Sequence, residues 1–538
     1  MKTKHTTNQP TINYMEDVCV MNNQSRSRPF ETRPLPEQEQ PAVGVNQLTD
    51  SPVNSFSKRS KVMNATRIIS RAMMAVVTLF LVAAVAMGQN LNLSGGSATL
   101  TGTWNVRGNV NNNSATGVKT FSGTVNLNGT TSAQNVGGTT ASQALVFANL
   151  NAVGTQVKDQ KVQVTVTTAF DINSGAAYNV AANTLNFGGT TTITSGTFNA
   201  SNASSVVNYT SGAAQAVLSS TYGGTLGLSG GAKTLGGDVS AGVLNQTAGS
   251  ITVNNNLTLT GTSSSSFLTI TDISATKTLL KNATGTLTVG TLSANSGIIS
   301  LTAAGTINFT GAAASAGQIN ASAGTIDFDA GFNNTGGTLN LSASGAAAIF
   351  GGSFTSQTAA GTLTLASGTT VTYDGGSAQN AAGASYHHLV MSGAGVKTAL
   401  GNLTVGGNFT NTSATTDVDT YTLAVTGSTT NTGGTVRFGG TTNGIAINAG
   451  TVEYNGGDAV TQTIGAGTYA TLTLSRKSGT GVAAKTIANG ATVTTTGSMS
   501  VPVETSLTLG NSSSVLNVNG DFNVDGDVTN NGTITVGN

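Results

Sequence analysis

Two pairs of aspartates have a spacing that polysaccharide-cleaving enzymes use for acid–base chemistry. Asp327 and Asp329 are separated by one residue, and so are Asp417 and Asp419. Residues two apart on a β-strand point to the same face, and glycosidases need two carboxyl groups beside one substrate. No basic or aromatic cluster accompanies either pair in the sequence. A carbohydrate-acting enzyme is therefore kept as an alternative, but the sequence predicts no catalytic residue.

Two further groups have side chains that could bind a metal. Asp521, Asp525 and Asp527 lie in an oxygen-rich segment of the kind that can hold Ca²⁺, but they lack the twelve-residue EF-hand spacing. His387 and His388 are adjacent, so on a strand they would point to opposite faces and could not readily share one ion. We therefore expect neither a metal site nor a cofactor.

Lysines and tyrosines recur within a longer repeated pattern. Its repeated members are Lys233, Lys397 and Lys485 together with Tyr222, Tyr386 and Tyr469. The lysines are expected to be exposed ends of a structural unit, because lysine is rarely buried. The tyrosines are expected to pack in a core, with an exposed ladder that binds glycans as the alternative. Gly236 and Gly237 follow a strand but open no helix, so they do not predict phosphate binding.

Short strands must position all of these residues. Runs such as Leu257–Thr260 and Thr286–Val289 alternate apolar and polar residues, which is typical of half-buried strands. Gly, Asn, Ser and Asp cluster between the runs, as expected for tight turns. Residues 89–538 show no sustained helical period. The sequence predicts an all-β fold.

Four glutamines mark a longer repeat. Gln134, Gln215, Gln379 and Gln462 are separated by 81, 164 and 83 residues. Because 164 is twice 82, the spacing indicates a super-repeat of about 82 residues with one degenerate copy. Thr306–Gly311 is a loose candidate for that copy, out of register.

The composition favours stacked coils over ordinary globular domains. Of 538 residues, 70 are Gly, 8% are charged and 5% are aromatic. Small and β-branched residues suit the narrow core of a β-solenoid, whereas like charges stacked at strand spacing would repel each other. Tandem β-sandwiches are the alternative fold. A net charge of +1 argues against a nucleic-acid-binding surface.

The N-terminal region differs from the rest of the chain. Residues 1–62 are polar, contain Cys19, and are predicted to be a disordered extension or an over-extended start. Residues 63–88 resemble a signal peptide, with Arg67 and Arg71 before an apolar run and small residues before Gln89. Retention of segment 72–87 as a membrane anchor is the alternative. The solenoid is predicted over 89–538.

One copy of the pattern carries a family resemblance. It reads Tyr454-Asn455-Gly456, Gln462-Thr463-Ile464, Thr468-Tyr469, Leu472–Ser475 and Lys485-Thr486. This pattern resembles repeats in secreted surface proteins of Gram-negative bacteria, especially Bacteroidetes and Chlorobi, and residues 89–538 resemble filamentous-haemagglutinin-like and autotransporter-passenger adhesins. The resemblance implies a right-handed parallel β-helix on the bacterial surface.

The functional expectation combines the export signal, the repeat and this resemblance. We expect a non-enzymatic protein, secreted or at the cell surface, with a structural or adhesive role. The expected partners are glycans, host or matrix surfaces, or other copies of the chain, with no nucleic acid and with membrane contact only through segment 72–87. A polysaccharide-acting β-helix and a spacer stalk from a longer surface protein are the alternatives.

Overall fold

The computed structural model describes residues 85–87, 90–138, 143–261, 265–352, 361–443 and 450–537. In these residues parallel strands stack as a rod-like β-solenoid of about 21 turns. The all-β prediction and the solenoid prediction are confirmed. The alternative of tandem β-sandwiches is wrong, because every pairing between the described strands is parallel and sandwiches are built from antiparallel sheets.

The first coils are built from strands β1–β14. Their bounds are β1 Val85–Met87, β2 Leu91–Leu93, β3 Ala98–Leu100, β4 Thr103–Val106, β5 Val110–Asn112, β6 Lys119–Leu127, β7 Gln134–Gly137, β8 Leu145–Ala152, β9 Val157–Gln160, β10 Val164–Ile172, β11 Ala176–Asn179, β12 Thr184–Phe187, β13 Thr190–Ile193 and β14 Gly196–Asn199. They contribute to two sheets, of which the smaller runs from β2 to β14. The predicted signal segment lies outside the described residues except for β1, which pairs with β4.

The middle coils contain strands β15–β34. Their bounds are β15 Val206–Tyr209, β16 Gln215–Val217, β17 Ser220–Leu228, β18 Lys233–Leu235, β19 Val239–Gln246, β20 Ile251–Val253, β21 Leu257–Leu259, β22 Ser265–Ile273, β23 Thr278–Lys281, β24 Thr286–Leu292, β25 Ile298–Leu301, β26 Thr306–Phe309, β27 Ala313–Ala314, β28 Gln318–Ala321, β29 Thr325–Phe328, β30 Phe332–Asn333, β31 Thr338–Leu341, β32 Ala347–Phe350, β33 Thr362–Leu365 and β34 Thr370–Tyr373. A second long sheet begins at β16.

The last coils contain strands β35–β57. Their bounds are β35 Gln379–Ala381, β36 Ser385–Tyr386, β37 His388–Met391, β38 Val396–Ala399, β39 Leu403–Val405, β40 Phe409–Asn411, β41 Thr415–Asp417, β42 Leu423–Val425, β43 Thr429–Asn431, β44 Thr435–Phe438, β45 Thr442–Asn443, β46 Thr451–Tyr454, β47 Gln462–Ile464, β48 Gly467–Tyr469, β49 Thr471–Leu474, β50 Ala483–Ile487, β51 Thr492–Thr495, β52 Met499–Val501, β53 Thr505–Leu509, β54 Val515–Val518, β55 Phe522–Val524, β56 Asp527–Asn530 and β57 Thr533–Val536. The described residues contain no helix with the length and apolar character that a membrane span requires.

The pairing register follows the period of the coil. Ile299 pairs with Ile319, which pairs in turn with Leu339, so a coil here takes about twenty residues. Alternate residues of most strands are buried, as the period-two pattern predicts. The super-repeat of about 82 residues therefore corresponds to about four coils.

Aromatic stacks fill part of the narrow core. In one column, Phe309, Phe328, Phe350 and Tyr373 follow each other at ring-centroid distances of 5.1, 5.4 and 5.2 Å. Stacked strands place the same position of each coil directly above the last, so like residues meet along the axis. The stack accounts for how a chain with few aromatics still fills its interior.

Outward-facing amides form ladders along the axis. Asn126 Nδ2 donates to Asn105 Oδ1 at 2.8 Å, and Asn151 Nδ2 donates to Asn126 Oδ1 at 2.8 Å. Threonines stack in the same way, as in the column Thr286, Thr306 and Thr325. These ladders satisfy polar groups on a largely uncharged surface.

Candidate functional site

The four marker glutamines and four lysines form what we name the glutamine–lysine corners. In each corner, a glutamine on one coil pairs in register with a lysine on the next coil. The pairs are Gln134 with Lys158, Gln215 with Lys233, Gln379 with Lys397, and Gln462 with Lys485. All eight residues are buried. The repeat seen in the sequence is therefore a repeated buried polar contact.

Each glutamine side chain connects three backbone groups at a turn. In the last corner, Gln462 Nε2 donates to the carbonyls of Phe438 at 2.8 Å and Gly440 at 3.0 Å. Its Oε1 accepts from the Gly456 N–H at 2.6 Å. Gln134 makes the same set of contacts in the first corner. The glutamine thus satisfies backbone groups that would otherwise be buried without partners.

The prediction that the repeated lysines are exposed is wrong. Lys397 and Lys485 are fully buried, and Lys233 is only 1% exposed. Each ammonium points at turn carbonyls, as Lys233 Nζ does toward Ser211 O at 3.0 Å and Gly231 O at 2.9 Å. The turns gather several outward carbonyls in one place, and a long side chain from the next coil can reach them.

Burial changes the protonation of these lysines. Desolvation lowers the pKa of Lys158 to about 8. It also lowers the pKa of Lys485 to about 8, with nearby Glu453 opposing the shift. The pKa values of Lys233 and Lys397 are lowered in the same direction. Amines of this kind are partly uncharged at mildly alkaline pH, where they are nucleophilic.

We expect replacement of Lys158 by methionine to change how stability depends on pH. The pKa of Lys158 is about 8 when folded and about 10.5 when unfolded, so above pH 8 the unfolded chain holds more protons. The wild type should therefore gain stability between pH 8 and pH 10, and Lys158→Met should lack about 1 to 2 kcal/mol of that gain. Urea unfolding at several pH values measures it, and parallel curves for the two proteins would contradict it.

The predicted core position of the repeated tyrosines is confirmed. Tyr222 and Tyr469 are fully buried, and Tyr386 is 3% exposed. Each pairs with the first tyrosine of its copy, as in the 2.8 Å contact between the hydroxyls of Tyr209 and Tyr222. Burial raises the pKa of the Tyr373 hydroxyl, the partner of Tyr386, to about 12, so these phenols stay protonated. An exposed tyrosine ladder for glycans is excluded.

Three buried lysines were missed by the sequence interpretation. Lys158 completes the first corner, while Lys119 and Lys281 point into turn carbonyls without a glutamine partner in register. Lys281 Nζ donates to Ala283 O at 2.8 Å and Thr284 O at 3.0 Å. The signal that could have found Lys158 is its place one coil after Gln134.

The pair Asp417 and Asp419 lies among basic residues, contrary to the sequence interpretation. Arg437 Nε contacts Glu453 Oε2 at 2.7 Å, and Arg437 Nη1 lies 3.8 Å from Asp417 Oδ2. Lys477 Nζ contacts Asp419 Oδ1 at 2.7 Å. Asp417, Arg437 and Glu453 stack in register on successive coils. Alternating charges avoid the repulsion expected of like charges, so this cluster is a structural ion-pair ladder.

The pair Asp327 and Asp329 has a different environment. Desolvation raises the pKa of Asp327 to about 6, and the charges of Asp329 and Asp374 act in the same direction. A carboxyl group with a raised pKa is the state required of a general acid. Of all the carboxylates predicted from the sequence, Asp327 has the environment closest to that of a catalytic group.

The remaining metal candidates do not converge. Asp521, Asp525 and Asp527 are all exposed in the last described coil. The rings of His387 and His388 are in edge-to-face contact at 4.2 Å, whereas opposite orientations were expected, because His387 lies between strands β36 and β37. His388 Nδ1 accepts from the Asn408 N–H at 3.1 Å. In the described part of the chain, no group of three or more His, Cys, Asp or Glu side chains could hold a metal ion.

Shallow grooves follow the surface of the coils between residues 191 and 280. One is lined mainly by hydroxyl and amide side chains, including Ser220, Thr221, Asn256 and Thr278, with Asp238 as its charged member. Such a lining offers hydrogen bonds without strong charge, which suits a polar, neutral ligand.

The coils, ladders and corners together define a class of protein, the parallel β-solenoids. The chain matches no protein-family model, no curated protein and no solved structure. The assignment to this class therefore rests on the parallel register, the buried corners and the stacked core alone.

Proposed function

We propose that the protein is an exported, non-enzymatic rod that acts in a structural or adhesive role outside the cell. The observation that carries the proposal is the continuous series of parallel coils with ladders of Thr and Asn on their outer faces. A rigid rod of stacked coils holds a surface at a distance from its origin and repeats the same polar groups along its length.

The outer surface supports a polar, largely uncharged partner. Columns such as Thr435, Thr451 and Thr471 repeat at strand spacing. Glycans, matrix components and other copies of the chain offer hydrogen-bonding groups over similar extended surfaces. The apolar segment before Gln89, with Arg67 and Arg71 ahead of it, supports export.

Export is tested by expressing the tagged chain in a Gram-negative host and treating intact cells with protease. We expect digestion without permeabilisation. Leu79→Arg combined with Leu81→Arg should keep the protein inside, because charge disrupts the apolar run of a signal peptide. Gln40→Arg, outside that run, is the matched control. Complete protection of the wild type in intact cells would contradict the proposal.

Adhesion is tested with the purified rod. We expect saturable binding to at least one immobilised glycan, a matrix protein or the rod itself, and little dependence on salt, because the surface carries few charges. Binding that disappears at moderate salt would point to a charged partner instead. Absence of binding in all three assays, with export intact, would favour the spacer stalk.

The second candidate function is cleavage of a polysaccharide, and Asp327 is the observation that favours it. Its raised pKa suits a general acid, and the Asp329 carboxyl two residues away could serve as the second group. Release of reducing ends from a panel of polysaccharides, lost in Asp327→Asn, would establish this activity and displace the non-enzymatic proposal.

Asp327→Asn also has an expected effect on stability. The pKa of Asp327 is about 6 when folded and 3.8 when unfolded, so the native protein loses stability as the pH rises from 4 to 6. At pH 7 the variant should therefore be slightly more stable than the wild type, by less than about 1 kcal/mol for this half-buried group. At pH 4 the two should coincide. Thermal unfolding at both pH values measures the difference, and equal stability at pH 7 would contradict it.

A further inference from the structure

The last glutamine–lysine corner brings an amine directly against a carboxamide. Lys485 Nζ lies 2.5 Å from Gln462 Oε1, and both side chains are fully buried. The two residues pair in register on adjacent coils, so the backbone holds them side by side. Fixed proximity of this kind raises the effective concentration of one reactant at the other by many orders of magnitude.

The carboxamide is held in one orientation and polarised. Gln462 Nε2 is fixed by the carbonyls of Phe438 and Gly440, while Oε1 also accepts from the Gly456 N–H at 2.6 Å. Two donors on one carbonyl oxygen draw electrons from Cδ and would stabilise negative charge on that oxygen during attack. This is the role of an oxyanion hole.

The amine is available as a nucleophile. Among the ion pairs of the described residues, none involves Lys485. Desolvation lowers its pKa to about 8, against the opposing effect of Glu453, so a substantial fraction is uncharged at mildly alkaline pH. A desolvated lysine is a known type of activated nucleophile.

We propose that Lys485 and Gln462 form a covalent cross-link between neighbouring coils, an amide joining Lys485 Nζ to Gln462 Cδ. The uncharged amine attacks Cδ, and the negative charge develops on Oε1. The Nζ–Cδ bond forms, the Cδ–Nε2 bond breaks, one proton passes from Nζ to Nε2, and ammonia leaves. No oxidant, reductant or co-reactant is required.

The other corners differ at the contact that matters. In these corners, lysine Nζ donates to a backbone carbonyl, Gly129 O for Lys158, Ser211 O for Lys233 and Gly375 O for Lys397. The described contact between Nζ and a glutamine oxygen belongs to Lys485. Lys485 is therefore expected to react ahead of the other corner lysines.

Mass spectrometry of the purified, folded wild-type chain tests the proposal. We expect the intact mass to be lower by one ammonia than the sequence requires, in a fraction that grows during incubation from pH 7 to pH 9. Tryptic digestion should give one branched peptide that contains Gln462 and Lys485, with no cleavage after Lys485. Isolation of Lys485 only as a free, cleavable residue after such incubation would overturn the proposal.

Two controls separate the reaction from other losses of ammonia. Lys485→Met should keep the full mass, apart from the substitution, because methionine has no amine. Lys281 is buried against carbonyls but contacts no carboxamide in the described structure, so it should remain cleavable by trypsin. A mass loss that persists in Lys485→Met would also overturn the proposal. The mass assay on wild type stands even where the variant fails to fold, and it is independent of export and adhesion.

Discussion

Gly189→Ala is expected to destabilise its coil by about 3 kcal/mol or more, in the range measured for overpacked and strained sites. A Cβ at Gly189 would overlap the carbonyl oxygen of Thr168 on the preceding coil and lie 2.7 Å from its Cα. The obstacle is backbone and is tied into the strand ladder, so it cannot rotate away. The carbonyl of Gly189 also accepts from Gln215, so a shift here would disturb a glutamine–lysine corner.

Gly212→Ala is the matched control for Gly189→Ala. Gly212 is exposed, and a Cβ there would meet nothing within 4 Å. Its replacement should be neutral or slightly stabilising, because alanine lowers the entropy of the unfolded chain. Chemical denaturation followed by circular dichroism compares the two variants. Because each coil contacts mainly its neighbours, Gly189→Ala should produce a separate, earlier unfolding step. Equal midpoints for the two variants would contradict the expectation.

The fold was predictable because local pattern and global architecture agree. Alternation such as that of Thr286–Val289 predicts a strand whatever its partners are, and the low charge of the chain favours stacked, identical positions. The glutamine spacing was readable for a related reason. Gln134, Gln215, Gln379 and Gln462 perform the same task at equivalent turns, and those turns recur at multiples of the coil.

The lysines could not be placed because their burial depends on contacts between coils. Gln215 and Lys233 are 18 residues apart, whereas Gln134 and Lys158 are 24 apart, because the coils differ in length. No fixed spacing links the two residue types. Their carbonyl partners belong to turns whose orientation is set by stacking, and a residue-level propensity places lysine outside. Arg437 was missed for the same reason, since it meets Asp417 only across coils.

Gln134→Ala is expected to destabilise the first corner by about 3 kcal/mol, since each buried polar group left unsatisfied costs about 1 to 3 kcal/mol. Gln134 is 1% exposed. Its Nε2 donates to Val106 O at 2.9 Å and to Gly108 O, and its Oε1 accepts from the Gly129 N–H at 2.8 Å. Alanine would remove all three partners and leave a cavity beside Lys158. Urea unfolding measures the loss.

Gln143→Ala is the control for the same residue type at an exposed position. The Gln143 amide donates to Ala115 O at 3.0 Å on the surface, where water can replace the bond, so its loss should cost less than about 0.5 kcal/mol. Combining Gln134→Ala with Lys158→Met distinguishes a coupled corner from two independent residues. Both side chains contact Gly129, Gln134 at its N–H and Lys158 at its carbonyl at 3.3 Å. The double variant should therefore lose less stability than the two single losses added together, and strict additivity would show that the corner is not one unit.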